Sequence, residues 1–232
     1  MLFCRSMSLA DVREIYFRSR KERDDFWTDR ISRPPAALLV WWVKDGAVTP
    51  NQITFLSLGV ALVAAAIFAA WPGYAGLVTA GVVVQLSYVL DCADGQLARV
   101  RGTASAVGAA LDFVTDAVKA PALLAAVTLR LWLETDRPLF VLLGLLGLVA
   151  LAAGLSMTTF VRSADVASAA PAAPRPAVVR AAEWIGRTAI QYPRYMLLVC
   201  LLGAIQIYFF AYVAANALYA ARTLLAIIRR HA

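Results

Sequence analysis

Long apolar runs, each close to the length that crosses a membrane, dominate this sequence and restrict the folds open to it. Six such runs can be traced, over residues 52–71, 75–98, 104–129, 138–162, 190–204 and 207–228. A helix needs about 20 mostly apolar residues to cross the hydrocarbon core of a bilayer. Because 61% of the residues are hydrophobic and the mean hydropathy is +0.69, the chain is predicted to be an all-α polytopic membrane protein with six transmembrane helices.

The first part of the chain is more polar and is predicted to form its own segment. Residues 1–48 make up this amphipathic, interfacial segment, and residues 49–232 make up the transmembrane domain. The stretch from Ser8 to Arg30 mixes aromatic, aliphatic and charged residues without a run long enough to span. That pattern is typical of a helix lying on the membrane surface, and a solvated charged helix is also compatible with it. No cleavable signal peptide is expected, because the first apolar run begins only after about 35 largely polar residues.

Positive charge is distributed as in a membrane protein rather than a nucleic-acid-binding protein. Of the 22 Lys and Arg residues, nine lie in the first 44 positions, and most of the others lie between or just beyond apolar runs. Basic residues collect on the cytoplasmic side of membrane proteins. With six spans, both termini are therefore predicted to face the cytoplasm. No nucleic-acid partner is expected, despite the formal net charge of +7.

Histidine and cysteine provide little chemistry in this chain. The only histidine is His231, and the cysteines Cys4, Cys92 and Cys200 are widely spaced. Neither a disulfide framework nor a zinc site is indicated. A general base is therefore expected to be a carboxylate.

Four aspartates lie within otherwise apolar helical segments, at positions Asp91, Asp94, Asp112 and Asp116. Carboxylates at membrane depth are costly, so they are expected to pair, to bind metal or to carry chemistry. The spacings within each pair put both members on one helix face, and the two helices are predicted to be antiparallel neighbours. Hard oxygen ligands favour Mg²⁺, Mn²⁺ or Ca²⁺ over zinc. The pattern predicts a site for one or two divalent cations.

Other interpretations remain open at this point. The carboxylates could be neutralised by Arg99, Arg101 and Lys119, and Lys119 could contact an anionic acceptor or pair with Asp116. An ion- or proton-coupled transporter also uses intramembrane carboxylates, but the inverted repeats and interrupted helices of such proteins are not evident. UbiA-like membrane prenyltransferases also hold Mg²⁺-diphosphate with aspartates, in two clusters usually a hundred or more residues apart. Here only 17 residues separate the two pairs.

The segment that carries the aspartates resembles a known family motif. It matches D-x2-D-G-x2-A-R-x8-G-x3-D-x3-D at every defined position, with Gly95, Ala98, Arg99 and Gly108 between the two aspartate pairs. This is the pattern of the CDP-alcohol phosphotransferase family, also named CDP-alcohol phosphatidyltransferases. The Thr49-Pro50-Asn51 stretch ahead of the first span is similar to family members as well. The specific similarity covers about 26 residues, although the layout agrees over most of the chain.

The resemblance implies a fold, a reaction and a partner for the chain. Family enzymes form six-span bundles, usually homodimers, with a polar cavity facing the cytoplasm. They cleave the diphosphate of a CDP-linked alcohol, release CMP and pass the phosphoryl-alcohol group to a hydroxyl acceptor, using Mg²⁺ or Mn²⁺. The chain is thus expected to be a divalent-metal-dependent transferase of phospholipid or polyol-phosphodiester biosynthesis, with two ions, in a bacterial or archaeal cell membrane. The donor could be CDP-diacylglycerol or a soluble CDP-polyol.

The resemblance also implies a role for each matching residue. Asp91, Asp94 and Asp112 would bind metal, while Asp116 would contribute to the metal site and act as the base that accepts the acceptor's proton. The residues expected to line the CDP site are Asp91, Asp94, Gly95, Ala98, Arg99, Ser105, Gly108 and Asn51. Of these, Arg99 is expected to face phosphate, and Ser105 could donate to the nucleotide or serve only as a small packing residue. Lys119 and Arg162 are candidates for contacting the acceptor, although positive-inside topology explains Arg162 equally well.

Overall fold

The computed structural model describes residues 9–19, 27–165 and 195–231, and all regular structure in these ranges is helical. A short π-helical turn, Thr28–Ser32, lies between the first two helices. The α-helices are α1 (Leu9–Arg18), α2 (Arg33–Val43), α3 (Pro50–Ala70), α4 (Gly73–Arg101), α5 (Ala106–Thr135), α6 (Pro138–Asp165), α7 (Met196–Leu201) and α8 (Ile205–His231).

Three of the described helical segments are long and apolar enough to cross a membrane, namely Pro50–Ala70, Gly73–Arg101 and Pro138–Met157. This finding supports an integral membrane protein. The predicted count of six spans is not confirmed. The predicted span at 190–204 coincides only with the short helix α7, and residues 190–194 lie outside the described residues. The predicted span at 207–228 lies within α8, and the predicted span at 104–129 lies within α5 except for its first two residues.

The helix boundaries follow from local sequence signals. Thr49 caps α3 through a capping box, in which its side chain accepts from the Gln52 backbone and the Gln52 side chain accepts from the Thr49 backbone. Gly102 ends α4 with a φ of 68°, in the left-handed region that glycine adopts without strain. Backbone N–H groups of Gly102 and Thr103 donate to the carbonyls of Arg99 and Ala98. Pro72 and Gly102 thus lie at the turns that precede and follow α4.

Helix α3 lies at the centre of the part of the bundle that contains the aspartates. It packs extensively against both α4 and α5, whereas α4 and α5 make little direct contact with each other. The two aspartate-bearing helices are nevertheless neighbours at the aspartates, as the sequence predicts, because Lys119 of α5 contacts Asp91 of α4 there. Elsewhere along their length, their close backbone packing is with α3, which is rich in small residues. This arrangement leaves a groove between α4 and α5 near the turn that joins them.

The N-terminal segment packs against the motif end of α4. A cluster of buried residues joins α1, α2, α3 and α4, and it consists of Ile15, Ala36, Ala37, Val40, Ile53, Ala93 and Leu97. At the end of α4, the Arg101 guanidinium donates to the carbonyls of Val43, Lys44, Gly46 and Val48. Arg101 thus fastens the α2–α3 loop to α4. Its guanidinium binds backbone there, a different role from the carboxylate neutralisation considered for it in the sequence.

Candidate active site

Three carboxylates converge in the groove between α4 and α5. One oxygen from each of Asp91, Asp112 and Asp116 lies within 4.8 Å of the others. Asp91 comes from α4, and Asp112 and Asp116 come from successive turns of α5. Helical periodicity places the last two on one face, as the sequence predicts. The groove therefore concentrates negative charge at one point of an otherwise apolar body.

Lys119 provides the nearest cation to this group among the described ion pairs. Its ammonium lies 2.5 Å from an Asp91 carboxylate oxygen and 3.3 Å from an Asp116 carboxylate oxygen. Only 4% of the Lys119 side chain is exposed, against 59% of the Asp116 side chain. Lys119 was considered as an acceptor contact or as a partner of Asp116. The structure shows the ion pair with Asp116 and a second ion pair with Asp91. A buried ammonium between two carboxylates reduces their repulsion and fixes their separation.

Asp94 lies one helical turn beyond Asp91 but has a different environment. It is 6% exposed, and the hydroxyl of Thr54 on α3 donates to its carboxylate at 2.5 Å. Asp94 is not a member of the three-carboxylate group. Thr54 is not among the residues predicted from the sequence, although one signal was available: a hydroxyl one turn after Pro50, at the end of the first span nearest the aspartate motif. A threonine there faces the neighbouring span, where a buried carboxylate needs a donor.

The motif residues after Asp94 lie together at the end of α4. A Cβ at Gly95 would lie 3.2 Å from Nη1 of Arg99, so the guanidinium crosses the helix surface directly over this glycine. The Nε of Arg99 donates to the backbone carbonyl of Ser19 at 3.0 Å. Ala98 is partly exposed beside them. The structure thus brings Gly95 and Arg99 into contact, and it adds a contact with the N-terminal segment that the sequence did not predict.

Three further predicted members of the CDP site lie at helix starts. Ser105 is the N-cap of α5, and its hydroxyl oxygen accepts from the Gly108 backbone N–H at 3.1 Å. This contact assigns Ser105 a capping role, which neither sequence interpretation named. Asn51 lies exposed in the first turn of α3. The side chain of Arg162, a predicted acceptor contact, lies outside the described residues.

A small cavity of about 50 Å³, partly open to solvent, adjoins the carboxylates on the side away from the α4–α5 turn. Its polar lining residues are Ser87, Tyr88, Asp91, Asp116 and Lys119, and its apolar lining residues are Val84 and Leu123. Tyr88 is a lining residue that was not predicted from the sequence. Its hydroxyl shares a 2.8 Å hydrogen bond with Thr28 of the N-terminal segment. A ligand in this cavity would touch Asp116 and Lys119 together.

The donor set fits a hard divalent cation. Three carboxylates, each with an oxygen close enough to share one ion, match the oxygen ligands that Mg²⁺ and Mn²⁺ prefer. No cysteine or histidine is a member of this group. Lys119 already occupies the space between Asp91 and Asp116 with positive charge. The group therefore has the ligands of a cation site. In the structure, the Lys119 ammonium offsets the repulsion between two of its carboxylates.

The comparison with known proteins agrees with this geometry. A search of the curated proteins gives no match to the chain. A family model described as CDP-alcohol phosphatidyltransferase matches residues 47–228, which include the whole aspartate motif and all helices from α3 to α7. Since this match covers most of the chain, the protein belongs to the CDP-alcohol phosphatidyltransferase family and is a transferase of substituted phosphate groups.

Proposed function

We propose that the protein transfers a phosphoryl-alcohol group from a CDP-linked alcohol to a hydroxyl acceptor, with release of CMP, in the groove between α4 and α5. The family uses CDP-alcohol donors and alcohol acceptors and depends on divalent metal. The observation that carries the proposal is the convergence of Asp91, Asp112 and Asp116 beside a cavity. Family membership also favours this transferase over the transporter and prenyltransferase alternatives.

The aspartates would hold Mg²⁺ or Mn²⁺, with two ions as the proposed number. Asp91, Asp112 and Asp116 would be direct ligands, and Asp94 would join them from the position fixed by Thr54. A bound divalent cation would supply the positive charge that neutralises the diphosphate of the donor and of the departing CMP. The fit is one of charge and ligand type, because carboxylates are the hard ligands that these ions take.

Asp116 is the proposed general base. It is the most exposed of the three grouped carboxylates and lines the cavity, where an acceptor hydroxyl can reach it. As the acceptor oxygen bonds to the phosphorus that carries the alcohol, the bridging P–O bond to CMP breaks. The acceptor's proton passes to the Asp116 carboxylate, and the bridging electron pair leaves with CMP. Positioned general bases contribute about 10²–10⁴-fold to such rates.

Lys119 and the residues at the end of α4 would position the reactants. Lys119 holds Asp91 and Asp116 in fixed relation and lines the same cavity, so an anionic or hydroxyl-rich acceptor would meet it there. Gly95, Ala98 and Arg99 would contact the CDP group, with the Arg99 guanidinium toward phosphate. Asn51, Ser105 and Gly108 remain proposed members of this site, and Arg162 remains a proposed acceptor contact.

The wider assignments are proposals on the same basis. With six proposed spans, the basic N-terminal segment favours both termini and the groove on the cytoplasmic side of a bacterial or archaeal membrane. A homodimer is proposed from family resemblance. The donor is either CDP-diacylglycerol, which would make the product a phospholipid, or a soluble CDP-polyol such as CDP-inositol.

Donor identity and turnover can be tested in one experiment. The purified protein in detergent is incubated with CDP-diacylglycerol or CDP-inositol, Mg²⁺ or Mn²⁺, and a panel of polyol acceptors, and the products are followed by mass spectrometry. We expect CMP and one phosphodiester product to form in equal amounts. Asp91→Ala and Asp112→Ala should weaken Mn²⁺ binding and donor binding together. Intact donors under every condition would contradict the proposal.

A further inference from the structure

The backbone carbonyl of Ser19, at the end of α1, is bound by two guanidinium groups. Arg33 donates to it from Nη1 at 2.9 Å, and Arg99 donates from Nε at 3.0 Å. Ser19 is fully buried and Arg33 is 3% exposed. The Ser19 N–H donates to the Ile15 carbonyl, so the Ser19 carbonyl continues the row of acceptors at the helix end. Such an end carries partial negative charge, which strengthens its bonds to cations.

The contact fixes the orientation of Arg99, a residue of the aspartate motif. The Nε edge of the guanidinium faces Ser19, while Nη1 and Nη2 lie 3.2 and 3.5 Å from where a Cβ at Gly95 would be. A guanidinium is planar, so fixing one edge and one face determines where its remaining donors point. Arg99 is thus held between the end of α1 and the glycine that follows Asp94.

The position of α1 is itself fixed by several contacts. Ile15 is buried in the cluster that joins α1, α2, α3 and α4. The Tyr16 hydroxyl donates to the Asp29 carboxylate at 2.8 Å. The π-helical turn that follows bonds to α4 through Thr28 and Tyr88, and through Ser32 and Gln85. The N-terminal segment therefore contacts α4 beside the cavity as well as at Arg99.

We propose that α1 contributes to the active site by positioning Arg99. The Ser19 carbonyl orients the Arg99 guanidinium to bind the diphosphate of a nucleoside-diphosphate donor. This inference rests on the proposed function. The role of α1 is one of positioning, because its backbone acts through Arg99 and does not itself touch the donor. Displacement of α1 releases the Nε edge of Arg99, and the affinity for the donor falls while the chemistry at Asp116 is unchanged.

The test compares two aspartate substitutions on α1 in the full-length protein. Ile15→Asp places a carboxylate in the buried cluster and displaces α1, whereas Phe17→Asp changes a side chain that is 52% exposed. We expect Ile15→Asp to raise KM for the CDP donor about 10-fold, the effect of losing a hydrogen bond to a charged group. KM for the acceptor should stay unchanged. Phe17→Asp should leave both constants within about twofold, as surface substitutions usually do.

A double-mutant cycle separates positioning from general destabilisation. In an Arg99→Met background, Ile15→Asp should cause no further rise in donor KM, because both changes remove the same contact. Independent, multiplying effects would overturn the inference. Ile15→Ala keeps the helix apolar and provides a variant that folds if Ile15→Asp does not; it should raise donor KM about threefold, in line with a buried side chain partly removed. An unchanged donor KM in Ile15→Ala would also overturn it.

Failure of the inference and failure of the proposed function give different results. If the wild-type protein releases CMP and Ile15→Asp does so with the wild-type donor KM, the positioning role is wrong and the transferase stands. If the wild-type protein leaves every CDP-alcohol intact, the transferase is wrong, and the role assigned to α1 falls with it.

Discussion

The two ends of α4 both carry polar side chains within an apolar body, yet their charges are arranged in opposite ways. At the first end, Arg130 of α5 donates to the carbonyls of Trp71 and Gly73 and forms an ion pair of 2.6 Å with Glu134. Glu134 in turn accepts from the Gly73 N–H at 3.2 Å. The Arg130 guanidinium there contacts one carboxylate, that of Glu134, and the backbone carbonyls of the turn. The charges balance locally, and the cluster closes the α3–α4 turn.

At the aspartate end, three carboxylates and one ammonium are grouped together. One ammonium, from Lys119, contacts Asp91 and Asp116, and Asp112 lies within the same small group. The nearby guanidiniums of Arg99 and Arg101 donate to backbone carbonyls of the N-terminal segment. Like charges held together in an apolar body are costly and mark functional sites. The comparison teaches that local balance indicates a structural role, whereas an excess of one charge indicates a place for a ligand.

The largest effect is expected from Asp116→Asn, which acts on the unbalanced end. The amide cannot accept the acceptor's proton, so kcat should fall about 10²–10⁴-fold, while binding of the CDP donor should be largely kept. Turnover is measured by CMP release, and donor binding by titration calorimetry in detergent. Asp45→Asn, at a side chain 73% exposed in the α2–α3 loop, is the matched control. Wild-type kcat in Asp116→Asn would remove this residue from the base role.

The next effect, on stability alone, is expected from Arg130→Met at the balanced end. The substitution leaves the partly exposed Glu134 and two turn carbonyls without the buried guanidinium, and loss of hydrogen bonds to a charged group costs about 3 kcal/mol. The melting temperature should drop, with kcat per folded molecule unchanged. Arg137→Met, at an exposed arginine near the same end, should leave the melting temperature unchanged. A fall in kcat with no loss of stability would show that the two ends are not separable.

The sequence predicted the aspartate end better than its surroundings, for a physical reason. Spacing along one helix determines which side chains share a face, so Asp112 and Asp116 could be placed together from their numbers alone. Packing between helices depends on the shapes of all their surfaces. The close packing of α3 against both α4 and α5 therefore could not be derived, and neither could the Thr54 bond to Asp94. Family resemblance supplied the reaction and the residue roles, which periodicity does not encode.

The N-terminal segment was the least predictable region. Its charges and aromatic residues indicated a surface or solvated helix, but its backbone carbonyls accept hydrogen bonds from Arg99 of the motif and from the nearby Arg101. Every residue type has the same backbone carbonyl, so a contact made through a carbonyl does not depend on which residue supplies it. Ser19 and Lys44 could therefore not be recognised from the sequence, whereas the two arginines that bind them stood out.

A moderate effect is expected from Thr54→Val, which keeps the side-chain shape and removes the hydroxyl that donates to Asp94. Loss of a buried hydrogen bond to a charged group costs about 2 kcal/mol. Affinity for Mn²⁺ should also fall, because Asp94 is no longer held in place. Thermal unfolding and metal titration measure the two effects. Thr54→Ser keeps the donor and should preserve metal affinity, with a stability loss of about 0.8 kcal/mol for the missing methyl group.

The smallest effect is expected from Ser57→Ala, midway between the two ends. Ser57 and Ser87 join α3 to α4 through reciprocal bonds, each hydroxyl donating to the other's carbonyl at 3.0 and 2.9 Å. Hydrogen bonds between membrane helices contribute about 0.6 kcal/mol on average, which lowers the melting temperature of a protein of this size by about 1–2 °C. Ser156→Ala, at an exposed serine of α6, is the control. Ser87 also lines the cavity. A change in acceptor KM with no shift in melting temperature would therefore show that the Ser57–Ser87 pair belongs to the ligand site and not to the structural part of the bundle.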